Sequence, residues 1–352
     1  MIDWFTGLIG YDASRLKPGK VLILNPGGEI TLSFDRWVDA FGSYDDRIKI
    51  KPELPTLDMV RSGFFSSLDK MPGLVFKLSG DPVKYLQGHN VFGPSVVSTI
   101  PVLEEVISRL PYPLRLEEVF NDSPVPIHPM RVDVTTSIRM DSHAMVHEFI
   151  QHAQHEMRSR HRLQGGLTKP STVSFGITST RWKLIIYCKF CELLNHPAKD
   201  PVMQAALLDY ADGLLRIEVR LLRKELKDRV CLDESIIWDF YDRIEVGVMK
   251  DNADKEALNL RPPVRLIYNH WLDGHDVSPV SGYLKRAAFY KYRKEILEAT
   301  GQDISLPLVK RKNGVSRDVF GSDYLKAHEV IEVPAHLQKY LFRPGDVLVD
   351  LP

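Results

Sequence analysis

The segment "RWKLIIYCKFCEL", residues 181–193, decides the reading of this chain. As a strand over 181–191 it puts Arg181, Lys183, Tyr187 and Lys189 on one face. Trp182, Leu184, Ile186, Cys188 and Phe190 then lie on the other. One side is apolar enough for a core, and the other presents a tyrosine in a cationic row. The neighbouring segments support a sheet. "STVSFGI" (171–177), "MRVDVTTSI" (130–138) and "LVFKLSG" (74–80) are rich in strand-forming residues. "LLRIEVRLL" (214–222) reads as a short strand or the start of a helix. "KVLILNPGGEITLSFDRW" (20–37) is a hairpin about Asn-Pro-Gly-Gly.

Helices are expected at 98–110, capped by Ser98 or Thr99 with Pro101 in the first turn, and at 141–161, capped by Asp141 or Ser142. After about residue 235 helical patterns dominate, notably "VSGYLKRAAFYKYRKEILEATG" (280–301), stopped by Gly301. The fold class expected is α+β, with a first domain over residues 1–235 and a smaller, mainly helical one over 236–352.

Lys+Arg and Asp+Glu both number 46, so nucleic-acid binding must come from local concentration of charge. Three cysteines cannot build a disulfide framework and suit a reducing compartment, read as the cytoplasm. The start lacks a basic leader, and no apolar run of membrane-spanning length occurs.

Several side-chain groups are candidates for chemistry. Cys188 and Cys191 form one CxxC with no second pair and no thioredoxin-like unit, so they read as packing residues. His143 and His147 share a face of the 141–161 helix, with His152 and His155 further along. "HEFIQ" does not complete a metalloprotease motif, and a polar helix face is the expectation. Between Met157 and Cys191 the basic residues Arg158, Arg160, Arg162, Lys169, Arg181, Lys183 and Lys189 occur with no Asp or Glu. That stretch is either a track for phosphates or a solvated basic face. Tyr187 lies within it, and cations beside a phenol favour the phenolate. "RVD" aligns Arg131 with Asp133, and "RIEVR" aligns Arg216, Glu218 and Arg220. Such carboxylates are either ion-paired or, beside a histidine, fit to hold Mg²⁺ or Mn²⁺.

"KYLQGHNVFGP" (84–94), with its Gly-His-Asn, resembles the gene II protein family of filamentous phages, rolling-circle replication initiators. "MID" at the start, "RVDVTTS", "STVSFGITSTRWKLIIYCKFCEL" and "GLLRIEVRL" resemble that family's segments in order, over residues 1–225. The resemblance implies an HUH-like nuclease: a central antiparallel sheet with flanking helices that nicks one strand of a duplex origin. Tyr187 matches the family's nucleophile, within a Tyr-x-Lys-x-x-Glu made by Tyr187, Lys189 and Glu192. Lys189 would steady the phosphate or the phenolate. No His-hydrophobic-His pair is present and Lys77 stands where an acid is expected, so the divalent metal, Mg²⁺ or Mn²⁺, falls to His89, Asp133 and Glu218.

The implied partners are supercoiled origin DNA, single-stranded DNA, and the host helicase, DNA polymerase and single-strand-binding protein, with assembly of copies on DNA. The resemblance also implies that the C-terminal third is made separately from an internal start, near Met249. In that part Arg286, Lys291 and Arg293 alternate with Tyr283, Phe289, Tyr290 and Tyr292, as suits either a DNA-binding or a core-packed helix. Two other readings stay open: a transposase or relaxase with the same tyrosine chemistry, and a non-catalytic DNA-binding repressor.

Overall fold

The computed structural model describes residues 1–13, 16, 19–55, 73–96, 99–110, 127–159, 171–228, 232–246, 257, 259–300, 302–305, 321–343 and 345–349. The first elements are β1 (Ile2–Asp12), β2 (Lys20–Leu24), β3 (Ile30–Asp35), β4 (Val38–Phe41), β5 (Arg47–Glu53), β6 (Val75–Gly80), α1 (Pro82–Gln87) and α2 (Thr99–Ser108). Then come β7 (Ile127–Arg139), α3 (His143–Glu156), β8 (Met157–Ser159), β9 (Thr172–Phe175), β10 (Trp182–Cys188), α4 (Lys189–Asn195), α5 (Pro201–Ala211) and β11 (Leu214–Leu222). After these lie α6 (Arg223–Leu226), α7 (Ser235–Tyr241), β12 (Ile244–Val246), α8 (Pro262–Leu272), α9 (Arg286–Thr300) and α10 (Ser322–Ala327).

Eight strands form one sheet in the order β4-β5-β6-β1-β7-β11-β10-β9. Its ladders are antiparallel. The α+β expectation, with a central antiparallel sheet, holds. The ambiguous "LLRIEVRLL" is a strand, and it lies between β7 and β10. Its alternation explains this: Leu215, Ile217, Val219 and Leu221 are buried on the face that also carries Val132, Val134 and Ile138 of β7. Val146, Phe149, Ile150 and Ala153 of α3 and Ile236, Ile237 and Phe240 of α7 join the same core. Ser142 caps α3 by accepting the Met145 N–H.

The expected strand 181–191 is shorter. It ends at Cys188, and Lys189 opens α4, so Lys189 leaves the face that Tyr187 keeps. The hairpin β2–β3 turns at Asn25, whose Oδ1 accepts the Gly27 and Glu29 N–H groups. It lies outside the main sheet, and Leu22, Leu24, Leu32 and Phe34 are exposed.

After β12 the packing divides. Residues 257–304 contribute a core of their own, with Val264, Ile267, Tyr268, Trp271, Phe289 and Ile296 at its centre. Further on, Leu325 of α10 joins the core of the sheet, the Val330 N–H bonds the Ser137 carbonyl, and Leu337 packs beside Met203 and Leu207. Met249 lies outside the described residues.

Candidate functional site

The second face of the sheet carries the polar residues. Register places Trp4, Asp133, Arg220 and Lys183 in one row across β1, β7, β11 and β10. The parallel row nearer the end of β10 contains Thr135, Glu218 and Ile185, and beyond it Tyr187 stands opposite Arg216. A bulge in β1 between Ile2 and Trp4 leaves Asp3 outside the regular pairing. Asp3 joins the same electrostatic cluster, interacting with Lys189, Arg216, Glu192 and Asp133.

The Gly-His-Asn run is the clamp that completes this cluster. Gly88 ends α1 in the left-handed region at φ 79°, where glycine is favoured. A Cβ at Gly88 would lie 2.4 Å from the Tyr44 ring. Gly88→Ala is therefore expected to lose about 1–3 kcal/mol, read from the urea midpoint. A midpoint equal to the parent's would mean that this turn tolerates another conformation.

His89 is buried and lies edge-on to Phe92 at 4.5 Å. Its Nε2 contacts the Tyr340 carbonyl at 3.0 Å, and its Nδ1 accepts the Val91 N–H at 3.3 Å. The ring is a neutral Nε2–H tautomer, and burial pulls its pKa down to about 3. Both nitrogens are spent, so His89 is not presented as the metal ligand that the resemblance implied. Asn90, the residue after it, reaches the cluster instead. Its amide donates to Asp3 at 2.8 Å and its carbonyl oxygen accepts from Lys189 at 2.7 Å.

Lys189 is fully buried, and its ammonium also holds Glu192 at 2.6 Å. Burial lowers its pKa, with the Arg216 charge adding to the effect. Its donors serve Asn90 and Glu192, so it is placed as a strut rather than as a hand on phosphate. Arg216 is 1% exposed. It donates to Thr135 Oγ1 at 3.1 Å, to the Asn90 carbonyl at 3.0 Å and to the Val91 carbonyl at 2.5 Å. It therefore ties the Gly-His-Asn loop to the sheet and does not pair with Glu218.

Asp133 is ion-paired on both sides, to Arg131 and, at 3.0 Å, to Arg220. Glu218 pairs with Arg220 at 2.9 Å. Burial, and then the Asp133 charge, push the Glu218 pKa up to about 8. The structure thus brings Asp133 and Glu218 together, adds Asp3, which no motif had singled out, and leaves His89 behind the cluster. Asp3 was hidden because its only sequence signal is "MID".

Tyr187 is half-buried. Burial, then Asp3, raise its pKa well above the ordinary phenol value, while Arg216 works in the opposite direction. At neutral pH it is a phenol, and Asp3, Glu218 and Glu192 are the acids whose charges reach it.

Of the expected DNA contacts, Lys183 lies on the tyrosine's face. Arg181 is exposed but engaged by Glu225 at 2.8 Å and by Asp228. Arg293 is corrected outright. The core face of α9 runs through Phe289, Arg293, Ile296 and Thr300, and Arg293 is buried there in a two-bond pair with Asp303 at 2.6 Å. Arg286 and Lys291 of that helix are exposed. The backbone of Arg158 pairs with Glu245 in the β8–β12 ladder. Its side chain lies outside the described residues, as do Arg160, Arg162 and Lys169. Sequence reasoning missed Lys49 and Lys51, and it did not place Lys77, Arg131 and Arg220 with them on the tyrosine's face, where register gathers all five.

The cysteines pack as expected, Cys188 within the core of the sheet and Cys191 against it. Cys188 is buried at the end of β10, but Cys191 Sγ lies 3.3 Å from His143 Nε2 and 3.2 Å from His147 Nε2. The helix pair and the CxxC, each ordinary alone, meet on the side of the sheet that packs against α3. Burial first, and then the neighbouring Cys191, push the Cys188 thiol up to about 12, which is the reverse of a redox-active pair.

A family profile described as the N-terminal part of a phage replication-associated protein, the gene II product, matches residues 1–237. The chain is 24% identical over 329 residues to the replication-associated protein of Enterobacteria phage I2-2, covering 89% of this chain and 90% of that protein. It is 26% identical over 206 residues to the replication-associated protein of Enterobacteria phage M13, an alignment spanning 49% of that relative. Among solved structures, a rolling circle replication initiator protein from Geobacillus stearothermophilus aligns at 9% identity and a TM-score of 0.31, covering 71% of this chain and 87% of that one. The matched 1–237 segment contains all eight strands of the sheet, the Gly-His-Asn clamp and Tyr187, and on that match the chain belongs to the gene II family of phage replication-associated proteins.

Proposed function

We propose that this protein nicks one strand of a duplex origin, with Tyr187 as nucleophile, to start rolling-circle replication, and later rejoins the displaced strand. The observation that carries this reading is the convergence of Tyr187, Asp3, Glu218 and Arg216 on one polar sheet face beside the Asn90–Lys189–Glu192 clamp. Tyr187 Oη attacks phosphorus and the P–O3′ bond breaks. The phenolic proton passes to a carboxylate, and the leaving 3′ oxygen takes up a proton. The products are a 5′-phosphotyrosine and a free 3′-OH, and the ester conserves the energy needed for rejoining.

The family resemblance implies a divalent metal. Asp3, Asp133 and Glu218 supply the hard oxygen chemistry that Mg²⁺ or Mn²⁺ prefers, with Asp133 and Glu218 held by Arg131 and Arg220 in this structure, so an ion there would take over charge that the arginines now balance. When bound, such an ion stabilises negative charge on the scissile phosphate. Arg131 and Lys49 border the tyrosine's face and suit the phosphate backbone, with Trp4 under the Arg131 guanidinium at 5.1 Å. The sequence holds no Walker A motif, so the reading gives unwinding to a host helicase and synthesis to a host polymerase in the cytoplasm. Among the described residues no helix is long and apolar enough to cross a membrane.

The test is a supercoiled plasmid library of candidate origins, incubated with the protein and Mg²⁺ or Mn²⁺. Nicked circles with protein covalently on the 5′ end are expected. Plasmid that is bound but stays closed would point to a repressor.

The pKa of Glu218 gives this reading a pH signature. A carboxyl whose folded pKa is raised contributes stability below its unfolded value and loses it as pH rises toward about 8. Mn²⁺ competes for that proton. Its thermal stabilisation of the protein is expected to be greater at about pH 8.5 than at about pH 6.5, and Glu218→Gln is expected to flatten the difference. An unchanged pH dependence in Glu218→Gln would remove Glu218 from the ligand set.

A further inference from the structure

We propose that His143, His147, Cys188 and Cys191 form a structural Zn²⁺ site that fastens α3 to the strand end bearing Tyr187. The four candidate ligand atoms lie within 4.8 Å of one another. Three of them make a triangle: His143 Nε2 to Cys191 Sγ is 3.3 Å, His147 Nε2 to Cys191 Sγ is 3.2 Å, and the two Nε2 atoms are 3.0 Å apart. With Zn–N and Zn–S bonds of about 2.0–2.3 Å, the edges of a ligand tetrahedron are about 3.3–3.8 Å. The triangle matches one face of that tetrahedron, slightly contracted, with Cys188 as the fourth corner.

The spacings follow from local structure. His143 and His147 are i, i+4 on α3, so both rings point to the same side of the helix. Cys188 ends β10 and Cys191 lies in the first turn of α4, so the strand-to-helix junction folds the C-x₂-C around a point. H-x₃-H with C-x₂-C is a structural zinc donor set in reversed chain order, and two thiolates with two imidazoles select zinc over Mg²⁺ or Mn²⁺. Four protein ligands would leave no open position, which assigns the site to structure and not to catalysis. Its place in the fold gives it a use. Cys188 follows Tyr187 directly and faces the opposite side of the sheet, so anchoring Cys188 fixes the final turn of the strand that aims the tyrosine. The carboxylate cluster lies on that other face, and the zinc assignment stands whether or not the chain nicks DNA.

The full-length chain, purified without chelator or polyhistidine tag, is expected to carry about one Zn²⁺ per molecule. Replacement with Co²⁺ should give the visible bands of tetrahedral cobalt together with a thiolate charge-transfer band. Cys191→Ser, which removes two of the three close contacts, should lower zinc affinity more than about 100-fold, beyond the loss typical of an outer-shell partner. Glu218→Gln should keep both the zinc and the cobalt spectrum, separating this site from the carboxylates. If Cys191→Ser does not fold, the wild-type cobalt spectrum still decides. A wild-type chain with less than about a tenth of an equivalent of zinc and no tetrahedral cobalt spectrum on titration overturns the proposal. So does a Cys191→Ser chain that folds and binds zinc as the parent does.

Discussion

Tyr187→Phe is expected to bind origin DNA as the parent does and to nick it at least about 10⁴-fold more slowly, because only the attacking oxygen is lost. The ring stays in place. Tyr187 is half-buried on a strand held by β9 on one side and β11 on the other, and phenylalanine fills the same space. A stability change of less than about 1 kcal/mol accompanies the loss of a half-buried hydroxyl. The measurement pairs a gel assay of nicked circles with a binding titration on the same DNA. Nicking at the parent rate would remove the tyrosine from the chemistry and return attention to water as nucleophile. Equal loss of binding and nicking would show instead that the phenol serves DNA affinity.

Arg216→Met is expected to be the most damaging single change to the fold of the site, at about 3 kcal/mol or more, from three buried acceptors left unpaired at about 1–3 kcal/mol each. Methionine keeps much of the stem but supplies no donors. The carbonyls of Asn90 and Val91 and the hydroxyl of Thr135 would lose their contacts together. Buried acceptors left unpaired are costly, and here they sit in the loop that brings Asn90 to Asp3 and Lys189. Denaturant unfolding of Arg216→Met against the parent measures the cost. The Gly-His-Asn loop should also show faster amide hydrogen exchange. A loss under about 1 kcal/mol with unchanged exchange would mean that the loop is held by Gln87, which already bonds the Phe92 carbonyl at 2.7 Å.

How legible the site was depended on distance along the chain. Period-two alternation in "MRVDVTTSI" is a local property, and the segment is a strand with its apolar set on the core face, whereas "LLRIEVRLL", open between strand and helix in the sequence, is a strand because it pairs between β7 and β10. The helix expected over 141–161, with Ser142 as one of its two candidate caps, was legible for the same reason, although it ends at Glu156 and Met157–Ser159 pair with Ile244–Val246 as a strand instead. The end of β10 was not. Alternation runs smoothly through Lys189, and what stops the strand is burial of that lysine among Asn90 and Glu192, partners fixed by tertiary contacts. Arg293 misled in the same way: on a wheel it is one more cation, and only the position of Asp303 makes it a core residue.

By itself the sequence determined the α+β class, the strands at 74–80, 130–138 and 171–177, and the family through motifs spread over residues 1–225. Those signals reside in neighbouring residues and in residue identity. Tertiary structure alone decided which carboxylates meet, since Asp3, Asp133 and Glu218 come from three strands whose adjacency no spacing encodes. It also withdrew His89 by occupying both its nitrogens. And it brought His143 and His147 to Cys191 across more than forty residues, because α3 packs against the sheet where β10 ends.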